Sequence, residues 1–219
     1  MKKKNLITAA VSLALVAVVG VGATLAYFTD KTDTKTNVFT SGHVQIELVD
    51  KSQPEEGQVG GRNTDDGVVY DKIMPGDVVS KIVGVESVID SEEAWVAVRV
   101  QVNNVDMPYS EKEAEATQEL YGLIEDQVDA TAWSAVKELD AEENITSVVY
   151  YYNKPLNPFT ENKAAQLFSC IEIPGVEWNN DYADMHFEID VQAAAVQTRN
   201  VSLEAFKGMG WAALEALAD

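Results

Sequence analysis

The chain predicts an antiparallel all-β fold, a jelly-roll-like β-sandwich with a helical insertion and a C-terminal helix. Three observations lead there: apolar and polar residues alternate over long stretches, clusters of Pro, Gly, Asn and Asp separate those stretches, and two segments break the period of two. Alternation of this kind turns one face of a strand to a core and the other to water, an arrangement antiparallel sheets tolerate without covering helices.

The first element precedes the fold. Lys2, Lys3 and Lys4 stand before the apolar run 6–25, and Thr24 and Ala26 place small residues ahead of Tyr27. A basic start, an apolar middle and small residues before a cut describe an export signal, so residues 1–26 are read as a signal peptide cleaved between Ala26 and Tyr27. A run of this length also suffices to cross a bilayer, which makes a retained anchor the rival reading. Thr8, Ser12 and the Gly20-Val21-Gly22-Ala23 stretch weigh against a lasting membrane anchor. Residues 27–219 then form a single β-sandwich domain of a secreted protein that folds outside the cytoplasm.

Within that domain Val44, Ile46 and Leu48 alternate with His43, Gln45 and Glu47. Residues 51–67, with Pro54, Gly57, Gly60, Gly61 and Gly67, read as a long flexible loop. A turn at Pro75-Gly76-Asp77 opens a strand over 78–85. Over 94–102, Val96, Val98, Val100 and Val102 share one face while Arg99 and Gln101 share the other. Residues 110–139 are rich in Glu, Ala, Lys and Leu, with Leu120, Leu123, Ile124 and Val128 at helical spacing, which predicts a helical insertion over about 110–140. Strands follow over 148–153 and 167–173, bounded by Asn157-Pro158 and Pro174-Gly175. Met185, Phe187, Ile189, Val191 and Ala193 then alternate with His186, Glu188, Asp190 and Gln192. Last, Ser202 can cap a helix over 202–217 whose apolar face is Leu203, Phe206, Leu214 and Leu217. The core expected from this pattern joins Val44, Ile46 and Leu48 to Val96, Val98 and Val100 and to Phe187, Ile189 and Val191.

Charge narrows the partners. The chain carries 36 acidic and 16 basic residues, a formal net charge of −20, and the leader removes three lysines but no acid. So acidic a surface repels nucleic acid and anionic lipid, leaving protein, cations or a basic wall polymer. Cys170 is the lone cysteine. No intramolecular disulfide can form, and within 167–173 the thiol reads as a small apolar strand residue.

No catalytic set is visible. The two histidines, His43 and His186, lie far apart on polar strand positions, and no His-Glu-x-x-His segment is present, whereas a zinc site needs three or four ligands. Asn179, Asn180, Asp181 and Asp184, and separately Asn63, Asp65 and Asp66, could offer oxygen ligands to calcium, but neither group fits an EF-hand loop and turn formation explains both. Glu111, Glu113, Glu115 and Glu119 read as the solvated face of a helix. No cofactor, metal site or catalytic residue is expected.

Several segments, in order, carry a resemblance. They are the stretch Gly-Ala-Thr-Leu-Ala-Tyr-Phe-Thr-Asp over 22–30, Phe39-Thr40-Ser41-Gly42, the Pro75-Gly76-Asp77 turn, Tyr150-Tyr151-Tyr152-Asn153-Lys154-Pro155-Leu156 and Ile189-Asp190-Val191-Gln192-Ala193-Ala194-Ala195-Val196-Gln197. Together they resemble the TasA/camelysin family of secreted Gram-positive proteins, whose signals are matched to a dedicated SipW-type signal peptidase. The resemblance implies a jelly-roll subunit of biofilm-matrix fibres that polymerises by donating its mature N-terminal strand, with itself or paralogous matrix proteins as partners.

The residues supply a physical reason for such a donor. Residues 27–37 are rich in Thr, Asp and Lys, so they have little to bury at home and can add to a neighbour's sheet edge. Tyr27, Phe28, Val38 and Phe39 are the side chains expected to fill pockets there. A frayed terminus leading into the first strand is the plain alternative. Two other functions stay open: a camelysin-like cell-surface metalloprotease, which the family's label suggests, and a surface adhesin that does not polymerise.

Overall fold

The computed structural model describes residues 29–33, 36–37, 44–64, 67–70, 73–108, 110–175, 178, 182 and 185–217. The signal peptide, the Ala26–Tyr27 cleavage site and the proposed anchors Tyr27, Phe28, Val38 and Phe39 lie outside these residues. In chain order the strands are β1 (Thr29–Asp33), β2 (Thr36–Asn37), β3 (Ile46–Lys51), β4 (Arg62–Thr64), β5 (Gly67–Val69), β6 (Val78–Ser87) and β7 (Ala94–Asp106). Helix α1 (Glu113–Asp126) comes next, followed by β8 (Trp133–Leu139), β9 (Ile145–Tyr152), β10 (Ala164–Glu172), β11 (His186–Gln197), α2 (Leu203–Lys207) and α3 (Trp211–Leu217).

The strands build a six-stranded sheet in the order β2-β1-β11-β7-β9-β8, a three-stranded sheet β10-β6-β3 and the small hairpin β4-β5. Every strand pairing is antiparallel. The fold is therefore mostly β, with its two main sheets face to face. Val44, Ile46 and Leu48 meet Val96, Val98, Val100 and Val191 in one buried cluster, the side predicted from the alternation. Phe187 and Ile189 are only partly buried at its margin.

Helix α1 completes the cover of the large sheet. Its Ala116, Leu120, Tyr121 and Ile124 are buried in the same cluster, so the spacing of apolar residues does place one helical face inward. The helical insertion expected over 110–140 ends early, however, because residues 133–139 form β8 and extend the sheet beyond β9. Ala135, Val136, Lys137 and Leu139 are exposed on this edge, so composition carried no burial signal. Tertiary anchoring overrides the helix-forming residues. Trp133 is buried and donates from Nε1 to the Gln166 carbonyl at 3.0 Å, and Asp140 closes the β8–β9 turn by accepting from the Glu142 and Asn144 amides.

The outer face of the large sheet holds a second apolar cluster. Ala97, Val149, Tyr151, Ala194 and Val196 pack there against Phe206, Trp211 and Leu214 of the C-terminal helices. The expected single helix over 202–217 is two: Ser202 caps the first by accepting from the Ala205 amide at 3.2 Å, and Gly210, at φ +70°, breaks the chain before α3. Arg99 points to this face as predicted, but the face is roofed rather than wet. Its guanidinium lies 5.9 Å from the Trp211 ring centroid and 3.2 Å from a Glu138 carboxylate oxygen.

The segment 51–67, expected to be a long flexible loop, is held down. Val59 bridges to Val79, the Ser52 amide donates to Asn63 Oδ1 at 2.6 Å, Asn63 Nδ2 returns a bond to the Ser52 carbonyl at 3.0 Å, and the β4–β5 hairpin starts within the segment. Its backbone groups find partners in side chains, a possibility that glycine content alone does not reveal.

Candidate functional site

The candidate assembly site is the edge of β11. Along one side β11 pairs with β7 from His186 to Gln197, and along the other it pairs with β1: Thr29 with Val196, Asp30 with Ala195, Lys31 with Ala194 and Thr32 with Ala193. Of the segment 27–37, expected to remain extended, Thr29–Asp33 is indeed a strand, but it lies on its own chain's sheet. Strand β2 folds back on β1 and forms the outermost edge.

Why β11 accepts a neighbour there follows from its sequence. Ala193, Ala194, Ala195 and Val196 are all buried, the odd residues in the sandwich core and the even ones beneath α2 and α3. Small side chains on both faces leave recognition at this edge to the backbone ladder, which any polar strand can satisfy.

The end of the sandwich where β1 begins is marked by loops. There the Ala94 and Leu156 backbones pair, and Thr198 donates to the Glu93 carbonyl at 3.0 Å. Two large apolar side chains stand out at this end: Ile89 is 71% exposed and Phe159 is 77% exposed.

The chemistry-bearing residues are scattered. His186 is exposed on β11 with Nε2 3.8 Å from a Glu188 oxygen, and His43 lies outside the described residues. Among the described residues no group of three or more His, Cys, Asp or Glu is placed to hold a metal. Asn63 is committed to Ser52, while Asp65, Asp66, Asn179, Asn180, Asp181 and Asp184 lie outside the described residues. Cys170 sits half-buried on β10 with its thiol 3.5 Å from Gln127 Oε1, and burial, aided by the Glu172 charge, pushes that thiol up in pKa. It is poorly suited to nucleophilic work.

Glu119 is exposed on α1, as the solvated helix face assigned to it requires, and it also takes partners there. Its Oε2 accepts from Trp178 Nε1 and from the Tyr182 hydroxyl, both at 2.9 Å, and the two rings stack with centroids 4.7 Å apart. Sequence periodicity on α1 could not show this, because the partners come from 59 and 63 residues away. A second site was also missed: Asp50 and Lys81 meet as a buried pair at 2.7 Å. The signal was available, since the period of two puts Lys81 on the Val79, Val83 and Val85 face and Asp50 after Val44, Ile46 and Leu48.

No protein-family model, curated protein or solved structure matches this chain.

Proposed function

We propose that this chain is an exported structural protein of the extracellular or biofilm matrix, of the TasA/camelysin type and with a jelly-roll-like sandwich, that forms fibres by passing its N-terminal strand to the next subunit. The supporting observation is the β1–β11 ladder: a strand of sequence Thr-Asp-Lys-Thr-Asp closes an otherwise open sheet edge. The same ladder forms whether the strand comes from its own chain or from another copy. Exchange of an identical element between protomers is a low-cost route to association, and a head-to-tail exchange that does not close on itself gives a filament.

What tips the balance toward exchange is the surface such an assembly covers. Tyr27, Phe28, Val38 and Phe39 flank the strand, and Ile89 and Phe159 stand exposed at the end where it starts. Burying side chains of this size is worth roughly 1.5–3 kcal/mol each. The acidic charge supplies the opposing term and keeps stray contacts weak.

Electron microscopy of the purified mature protein, made with a native Tyr27 terminus, tests this against a version lacking residues 27–37. Fibres are expected from the first and folded monomers from the second. Fibres from the shortened protein, or chelator-sensitive proteolysis lost on changing His43 or His186, would overturn the reading in favour of another interface or of an enzyme.

A further inference from the structure

Lys81 faces the core of the sandwich. It shares the inner face of β6 with Val79, Val83 and Val85, as Asp50 shares the inner face of β3 with Ile46 and Leu48. The register sets Asp50 opposite Val83 and Lys51 opposite Ile82, so Asp50 and Lys81 are diagonal neighbours, a separation that a long lysine side chain spans. Nζ lies 2.7 Å from Oδ1, and the two side chains are 3% and 4% exposed.

As an ion pair this contact is poorly supported. An ammonium carries three donors and a carboxylate about four acceptor positions. Among the described residues the bond between them is the side-chain hydrogen bond that either group makes. Two charges removed from water with so little compensation bear most of their desolvation cost. The segment beside them is held in place: Tyr70 donates to the Ser80 carbonyl at 2.6 Å, Ser52 accepts from the Gly61 amide at 2.8 Å, and Gly67 lies near the Asp50 carboxylate, where an added Cβ would make an ordinary contact at 3.5 Å. Burial, and then the Asp50 charge, keep the Tyr70 phenol protonated.

We propose that Lys81 and Asp50 condense into an intramolecular isopeptide bond. Proton transfer along the 2.7 Å contact converts ammonium and carboxylate into amine and carboxylic acid. The Lys81 Nζ lone pair then attacks Asp50 Cγ; the Nζ–Cγ bond forms and a Cγ–Oδ bond breaks. The departing oxygen leaves as water with two of the three ammonium protons, and the third remains as the amide N–H. Nothing is oxidised or reduced, and no co-reactant is consumed. Burial of both side chains keeps bulk water from reversing the step.

The bond would join residues 31 positions apart and enclose the β4–β5 hairpin, a covalent closure in a chain whose single cysteine allows no internal disulfide. Like a disulfide, it would stabilise the fold by constraining the unfolded chain. It rests on the β3–β6 pairing and is independent of fibre assembly.

Intact mass spectrometry of the folded full chain is the test. The wild-type protein is expected to weigh one water less than its sequence mass, and a denatured digest should contain a branched peptide joining the segments that carry Asp50 and Lys81. Lys81→Arg keeps the cation and should appear at its full sequence mass. Asp50→Asn should release ammonia in place of water and reach the same cross-linked mass as wild type. A wild-type chain at full sequence mass, with Lys81 open to acetylation after denaturation, would overturn the proposal, and that result needs no variant to fold.

Discussion

Val102 and Thr146 face each other across β7 and β9, and the hydroxyl of Tyr121 stands between them. The β7–β9 ladder runs from Ala97 opposite Tyr151 to Val100 opposite Val148, and the same register carried onward would match Val102 with Thr146. Instead Tyr121 Oη accepts from the Val102 amide at 3.0 Å and donates to the Thr146 carbonyl at 2.6 Å. Helix α1 thus repairs the ladder at the point where the strands part, and the helix that sequence composition suggests as an insertion is a working part of the sheet.

Tyr121→Phe tests that joint. The substitution keeps the ring in the core and leaves one buried amide and one carbonyl without their partner, a cost of about 1–3 kcal/mol. Urea unfolding should show a lower midpoint with an unchanged slope. An unchanged midpoint would mean that the two strands close their own ladder when the hydroxyl is gone.

Tyr150 provides the opposite case. Its hydroxyl is buried and has no hydrogen-bond partner among the described residues, so Tyr150→Phe removes a desolvated polar group and should be neutral or stabilising. The variant also bears on alkaline behaviour. Burial raises the pKa of Tyr70, Tyr121, Tyr150 and Tyr151 above the ordinary 10.0, with nearby acids adding to the rise for Tyr70, Tyr150 and Tyr151. A phenol whose pKa is higher in the folded chain supports the fold fully below the unfolded value and loses that support as pH rises toward the folded one. Melting temperature should therefore fall as pH climbs past about 10, and less steeply in Tyr150→Phe. A flat profile over that range would contradict the burial of these phenols.

The core face of β11 can be graded along its length. Val191 is fully buried, whereas Ile189 is partly buried. Val191→Asp places an unpaired charge in the core and should cost several kcal/mol of a total near 5–15 kcal/mol. Ile189→Asp can turn its carboxylate toward water and should cost less. Equal thermal shifts for the two would mean that the strand's burial does not taper as the structure has it.

The long alternating strands were legible because their periodicity reports burial directly. The Val96, Val98 and Val100 face of β7 and the Val44, Ile46 and Leu48 face at β3 lie inward as the pattern requires. Where burial does not follow local pattern, reading failed. Strand β8 is built from helix-forming residues and exposes most of its side chains, so only its register with β9 and the buried Trp133 define it. Ala194 and Val196 lie under Phe206, Trp211 and Leu214 of the helices that follow β11, a cover that strand periodicity does not report. The N-terminal strand was legible as extended polar chain, but its partner on β11 could be found only in three dimensions. Lys81 and Asp50 broke the apolar pattern in plain view, and their meeting needed the register of β3 on β6.

The register of β1 on β11 also offers the most direct test of strand donation. Lys31 and Ala194 are opposed in that ladder, close enough for a disulfide between cysteines placed there. In a Cys170→Ser background, Lys31→Cys and Ala194→Cys would be combined and the protein oxidised after fibres have formed. If each subunit gives its strand to the next, denaturing gels without reductant should show a ladder of covalently linked chains that collapses to monomer on reduction. Fibres that yield only monomers, with the new disulfide closed inside each chain, would show that the strand stays at home and would contradict assembly by strand donation.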